Sequence, residues 1–422
     1  MKTLFHGLII CLLSINAALA QWQTLNTSNS PLHSNVVREV ALDSDGSKWI
    51  ATQRAVQKLS GSNWTTYTAF GSTSFNNVVC IAARNGIVWV GSDKGLSRFD
   101  GTTWTTFNDP TKLPVGTFGL NDLTINDVVV AQDGTVWLAG SRGIAQYDGT
   151  TWRKYNSSNS PLKEEAVTAL ALDESGNRLC IATNCNSANS GVYLYNYLID
   201  IWVYNNLGGT NCVHGLAVNA TGKVFAGTCN RSGLLTLENN VVSPFTVASC
   251  VALDGVAADP SNPQRVWVAT ESISPSSTAP KGLLVYDGAS IVQQFNTSNS
   301  SLPSNLLSSV VLEQTGGQLS AWVGTADQGL ARYETTVTAQ RPAQPRIVLD
   351  VLPNPASSTV EVRTDLGQYQ VSVYDNTGRQ LHSEQVRQAG PLHLRVQDWP
   401  AGLYHLRLTS DKGVGYARFC KQ

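Results

Sequence analysis

The sequence predicts an all-β chain: a seven-bladed β-propeller closed by its own N-terminal strand, followed by a small Ig-like β-sandwich. Three observations carry this. A phrase of short strand-like runs recurs with a period of about 45 residues, the mark of a propeller array. Its clearest form is Val88-Trp89-Val90-Gly91-Ser92, then Gly95-Leu96-Ser97-Arg98-Phe99-Asp100-Gly101, then Trp104; it returns at 136–140, 143–149 and Trp152. The array begins with a lone outer strand and ends lacking one. After Tyr333 the phrase stops, and a different alternation starts near residue 349.

Residues 1–20 read as a signal peptide. Lys2 is followed by an apolar run at 8–13, and Ala18-Leu19-Ala20 offers small residues to a peptidase. The run is too short to span a bilayer. Ile9-Ile10 ahead of Cys11 is too bulky for a lipoprotein signal. No other stretch reaches the roughly 18 apolar residues of a membrane helix. Charged residues make up 14% of the chain and the formal net charge is -1, which excludes a bulk electrostatic case for nucleic acid. The chain is read as an exported monomer.

Residues 21–335 form the propeller. Inner strands are expected at 36–42, 78–83, 127–131, 167–172, 215–218, 255–258 and 307–312, all read as apolar. Tight turns such as Asp45-Gly46, Asn85-Gly86 and Asp133-Gly134 follow them. Second strands carry Trp49, Trp89, Trp137, Phe225, Trp267 and Trp322, with Cys180 in that place in the fourth unit. Each is followed by Gly or Ala, which fits a taper toward the axis. A buried Trp removes about 150–250 Å² from water, so these rings are read as inter-blade packing. Third strands end in Phe99, Tyr147 or Tyr286 before Asp-Gly, and fourth strands open on Trp64, Trp104, Trp152 or Trp202. The lone strand 21–25 is expected to complete the seventh blade beside the strand ending at Tyr333, removing the open edge. Linkers at 26–32, 156–162 and 296–303 repeat an Asn/Ser-rich turn.

This order of turn, apolar strand, Asp-Gly, Trp, Gly-Leu and Phe-Asp-Gly resembles the two-component-regulator propeller repeat, abundant in Bacteroidetes. That family supplies periplasmic sensor domains and stand-alone secreted proteins. The resemblance implies the propeller and not signalling, because the chain carries no kinase or response-regulator segment.

Residues 336–348, with Pro342 and Pro345, read as a linker. Residues 349–422 hold Leu352-Pro353-Asn354-Pro355-Ala356, then 371–379 ending in Thr377-Gly378-Arg379, then Pro400-Ala401-Gly402-Leu403-Tyr404 and the ending Arg418-Phe419-Cys420-Lys421-Gln422. These motifs resemble the type A C-terminal sorting domain of the type IX secretion system, with Pro353, Asn354, Pro355, Gly378, Gly402 and Tyr404 as the matching positions. The resemblance implies the type IX machinery and its sortase as partners. Cys420 stands where the family carries an aliphatic residue.

Chemistry is sparse. Arg54, Lys94, Arg142 and Arg231 occupy equivalent loops between second and third strands, a set that could meet acidic groups on a polysaccharide. Cys185, Cys212, Cys229 and Cys250 map to the same face. The expected pairs are Cys185–Cys212 and Cys229–Cys250, with Cys212–Cys229 as rival and a four-thiol metal site as alternative. Cys80 and Cys180 read as buried strand residues. His33 and His214 are lyase bases by location only, and the Asp43/Asp45 pair reads as a turn before a calcium site. No catalytic constellation, cofactor motif or metal spacing is present. A binding protein for glycan or protein is the leading expectation. A propeller lyase and a structural surface protein are the alternatives.

Overall fold

The computed structural model describes residues 21–422 except 71–72, 75–76, 93–94, 108–124, 184–188, 208–211, 230–232, 247–249, 272–278, 337–348, 377–378, 389 and 411–412. The expected signal peptide (1–20) and nearly all of the expected linker (336–348) thus lie outside the described residues. The last propeller strand runs to Thr336, three residues past Tyr333.

Among the described residues, seven four-stranded antiparallel sheets follow one another along the chain up to Thr336. Their inner strands are Val37–Leu42, Val78–Arg84, Ile125–Val130, Val167–Asp173, Cys212–Val218, Cys250–Ala258 and Leu307–Thr315. Each packs on the next, and the seventh packs on the first, so the array closes as a β-propeller. Closure is built as the ends of the sequence imply. Gln21–Leu25 pairs antiparallel with Leu330–Thr336, the third strand of the seventh sheet, and becomes its outermost strand, placing Trp22 opposite Tyr333. Trp22, Phe295 and Tyr333 then meet with ring centroids 4.6–5.3 Å apart, locking first strand to last.

The second-strand aromatics are interior, with Trp49 and Trp137 fully buried. Trp49 packs at a tilt against Phe99 of the next sheet, and Trp137 meets Tyr195 edge-on. Trp49, Trp267 and Trp322 donate their indole N–H to Asp43, Asp259 and Glu313 at the ends of inner strands or just beyond them. The Asp43/Asp45 pair is structural: Asp43 also accepts the amide of Gly86 in the next sheet, and Asp45 caps Ser47 and meets Lys58.

All seven inner strands carry a register shift near their first residues, between Val37/Glu39, Val78/Cys80, Ile125/Asp127, Val167/Ala169, Val213/Gly215, Val251/Val256 and Leu307/Ser309. Such a bulge re-aims side chains and leaves an amide unpaired. It also gives a second reason for the small residues of the second strands, beyond taper. A Cβ on Gly91 would sit 2.5 Å from Cys80 Sγ and 2.8 Å from Ile125 of the next sheet.

From Asp350 onward a three-stranded and a four-stranded sheet share one core of Val360, Val362, Val371, Val373, Leu406 and Leu408.

Candidate functional site

The bulges put the chemistry in the axial channel. Glu39, Asp127 and Asp254 lie on the first, third and sixth inner strands, so they are spaced two, three and two sheets apart around a ring of seven. Glu39 Oε2 accepts the amide of Ile81 at 2.8 Å, and Asp127 Oδ2 accepts that of Leu170 at 2.6 Å. Both amides belong to the following sheet, one residue past its own bulge. The two carboxyls therefore staple neighbouring sheets by accepting an amide of an inner strand, which is the open edge of its sheet. Asp254 sits in the longest of the seven irregularities with φ at +50°, a left-handed backbone that Asp tolerates better than most residues.

Protein encloses all three groups, although Glu39 and Asp254 keep some surface toward the channel space. Burial raises the pKa of each, the Glu39 and Asp127 carboxyls well above their usual range and Asp254 to about 7. The negative charge of Asp254 raises the other two further, and Asp127 adds to the rise at Glu39. Cys80 lies in the same field. Its thiol is pushed up by burial and then by the three carboxyls, so it is an inert thiol, as expected for a strand residue.

Asp254 divides the channel. On one side a cavity of about 510 Å³ is lined by Glu39, Asp127 and Asp254 and reaches Arg84 and Glu174, which form an ion pair. On the other, at the face carrying the connectors between sheets, a cavity of about 340 Å³ is lined by Arg38, Asn77, Asp254, Glu271 and Ser308. Beside it His214 Nδ1 lies 3.2 Å from Glu271 Oε1, with both side chains half-buried. His33 is exposed, and its amide donates to Gln57.

The expected basic set is only partly visible. Arg54 and Arg142 are exposed in equivalent loops, and neither lines either of these two cavities. Lys94 and Arg231 lie outside the described residues. The arginine lining the connector-face cavity is Arg38, the bulged residue of the first inner strand. Sequence reading missed Arg38 and the three acids because it treated the inner strands as uniformly apolar. The signal was present: a charged residue two places into Val37-Arg38-Glu39-Val40 and Ile125-Asn126-Asp127-Val128 interrupts a run that packing alone would keep apolar.

Cys229 and Cys250 form a disulfide joining the fifth and sixth sheets. Cys212 is also disulfide-bonded, so the rival Cys212–Cys229 pair does not form. Cys185 lies outside the described residues. Cys180 is buried and free, with its thiol pushed up to about 12 by burial. In the tail, Asn354 accepts the amide of Cys420 and donates to the carbonyl of Arg418, tying the Pro353-Asn354-Pro355 turn to the last strand. Gly402 pairs with Lys421, and Tyr404 donates to the carbonyl of Pro400. Gly378 lies outside the described residues, and Cys420 is exposed and free.

Residues 350–422 match the family of secretion system C-terminal sorting domains. Such tails mark proteins exported by type IX secretion to the cell surface or beyond it. No curated protein sequence matches the chain. Among solved structures it is similar to PorZ, described as an essential bacterial surface component of the type IX secretion system of Porphyromonas gingivalis. The two are 19% identical, with a TM-score of 0.56, over 94% of this chain and 61% of PorZ. It is also similar to the extracellular domain of the hybrid two-component system BT3049 of B. thetaiotaomicron, at 15% identity and TM-score 0.51, over 95% of this chain and 57% of that one. A third is a virginiamycin B lyase from Staphylococcus aureus with quinupristin, at 11% identity and TM-score 0.56, over 75% of this chain and 99% of the lyase. The chain thus spans about three fifths of the first two. At these identities the likeness shows the fold alone.

Proposed function

We propose that this chain is a surface-displayed or released propeller that binds a glycan at the connector face, above the axial channel. Residues 1–20 are removed after export to the periplasm, 336–348 act as a linker, and 349–422 are read by the type IX machinery and cut by its sortase. The observation that carries the reading is the connector-face cavity, where Arg38, Asn77, Asp254, Glu271 and Ser308 converge. A small hollow with several polar groups suits hydroxyl-rich ligands. Among the described residues, the exposed large apolar side chains, Leu198, Val241, Ile291, Val292, Leu352 and Tyr416, do not line this cavity. A face that binds protein usually presents such groups at its centre. Arg54 and Arg142 would extend the site to acidic sugars, with Lys94 and Arg231 completing the set.

The test is a glycan array probed with the oxidised, full-length chain, followed by titration of the best hit. Binding weakened about tenfold or more by Arg38→Ala is expected. No glycan bound, with capture of a surface protein instead, would turn the reading toward a protein ligand, and neither would leave a structural surface component. A second reading follows from His214 against Glu271 at the cavity wall, where a histidine held by a carboxylate suits a general base. The lyase reading predicts a rise in ultraviolet absorbance from unsaturated products on incubation with uronic-acid polymers, absent in His214→Ala.

A further inference from the structure

Next to that cavity stands a set of metal-ligating side chains, of which Glu271 alone also lines it. A ring nitrogen of His214 and the sulfurs of Cys229 and Cys250 all lie within 4.8 Å of one another. Glu271 Oε1 lies 3.2 Å from His214 Nδ1 and 3.9 Å from Cys250 Sγ. All four sit on strand ends. His214 is the bulged residue of the fifth inner strand, and Cys229 closes the strand beside it. Cys250 opens the sixth inner strand and is paired with Glu271. The two sulfurs are joined in the structure. The geometry points to a second state of this corner: once a dithiol reductant opens Cys229–Cys250, the two thiolates, His214 and Glu271 bind one zinc ion.

The step balances. The reductant's two thiols become a disulfide and deliver two electrons; the Cys229–Cys250 bond breaks to two thiols. Each thiol then loses its proton to solvent as its sulfur takes the metal, and zinc keeps its oxidation state. Tetrahedral zinc with bonds of about 2.3 Å to sulfur and about 2.0–2.1 Å to nitrogen and oxygen sets nitrogen and oxygen about 3.3 Å apart, and sulfur and oxygen about 3.6 Å apart. Two edges of that tetrahedron therefore already stand near length. The main movement required is separation of the two sulfurs to about 3.8 Å. The metal would bridge the fifth and sixth sheets as the disulfide does, so the seam keeps a tie under reducing conditions. It would also draw Glu271 away from the cavity wall.

The test uses the full-length chain, oxidised or reduced with excess dithiol, loaded anaerobically with zinc and desalted. Bound metal is then measured by atomic emission. The reduced chain is expected to keep one more zinc equivalent than the oxidised chain. Cobalt(II) in its place should show a thiolate charge-transfer band and the visible bands of a tetrahedral ion. His214→Ala should weaken retention tenfold or more, and Glu271→Gln by less. A reduced chain that keeps no extra zinc, or a His214→Ala variant that holds it as tightly as the parent, would overturn the proposal. The Cys229→Ser/Cys250→Ser double variant must lose the band, and zinc held equally well by it counts against the site. If reduction unfolds the chain by circular dichroism, refolding on adding zinc supports the proposal and failure to refold rejects it. Glycan binding is read on the oxidised chain, so the two readings fail separately.

Discussion

The seam between the third and fourth sheets and the seam between the fourth and fifth solve one packing problem with different atoms. In the first, Trp137, Tyr155, Tyr195 and Trp202 interlock with ring centroids 4.1–6.0 Å apart. In the next, Cys180 takes the tryptophan's place, and Ala171, Leu194, Leu207, Val224 and Leu237 fill the space with no aromatic ring in the buried cluster. The disulfide-bonded cysteines begin just there, with Cys212 on the fifth inner strand and Cys229–Cys250 linking the fifth sheet to the sixth. Ring packing holds the third–fourth seam and aliphatic packing the next, while the Cys229–Cys250 bridge spans the fifth–sixth seam beside a smaller ring cluster of Phe225, Phe245 and Tyr286. A ring stabilises the native state by the apolar area it buries, whereas a cross-link acts mainly by restricting the unfolded chain.

The largest expected effect is at the aromatic seam. Trp137→Ala empties a fully buried site and should destabilise the chain by about 3–5 kcal/mol, seen as a lower denaturant midpoint. A loss below about 1 kcal/mol would mean that the rings fill space without anchoring the sheets. Next comes the bridge. Cys229 and Cys250 are 21 residues apart, and the chain-entropy estimate for closing such a loop is about 3 kcal/mol. Cys229→Ser/Cys250→Ser should lose that much while leaving m-values tied to a looser unfolded state. An unchanged midpoint would remove the bridge from the comparison.

How much of this was legible beforehand differs by level. The repeat, the second-strand aromatics and the pairing of Trp22 with Tyr333 follow from periodicity and from counting strands at the two ends. Both are properties of the pattern and survive without coordinates. The acidic channel does not, because a bulge shifts the two-residue alternation by one. Glu39 and Asp127 sit in runs whose alternation was read without that slip, and their partners Ile81 and Leu170 lie 42 and 43 residues on. The approach of His214, Cys250 and Glu271 depends on the same shifts in two sheets. Arg54 and Arg142 lie in loops between second and third strands, yet strand periodicity says nothing about which side chains of a face reach a cavity.

The smallest effect expected here separates the two regions by pH. The sixth inner strand opens with Cys250 of the sulfur-bridged region and also carries Asp254, while Glu39 and Asp127 belong to the aromatic part of the ring. Asp254 holds its proton up to about pH 7 in the folded chain, against about 3.9 when unfolded. The folded state therefore binds the proton more tightly, so its contribution is complete below about pH 4 and is lost as pH rises through 7. Thermal midpoints should fall by a few degrees between pH 5 and 8. Asp254→Asn keeps a residue that tolerates the left-handed backbone and should flatten that fall, leaving only what Glu39 and Asp127 contribute. A wild-type profile level across this range, or the same slope in the variant, would show that the channel carboxyls are shielded by something other than burial.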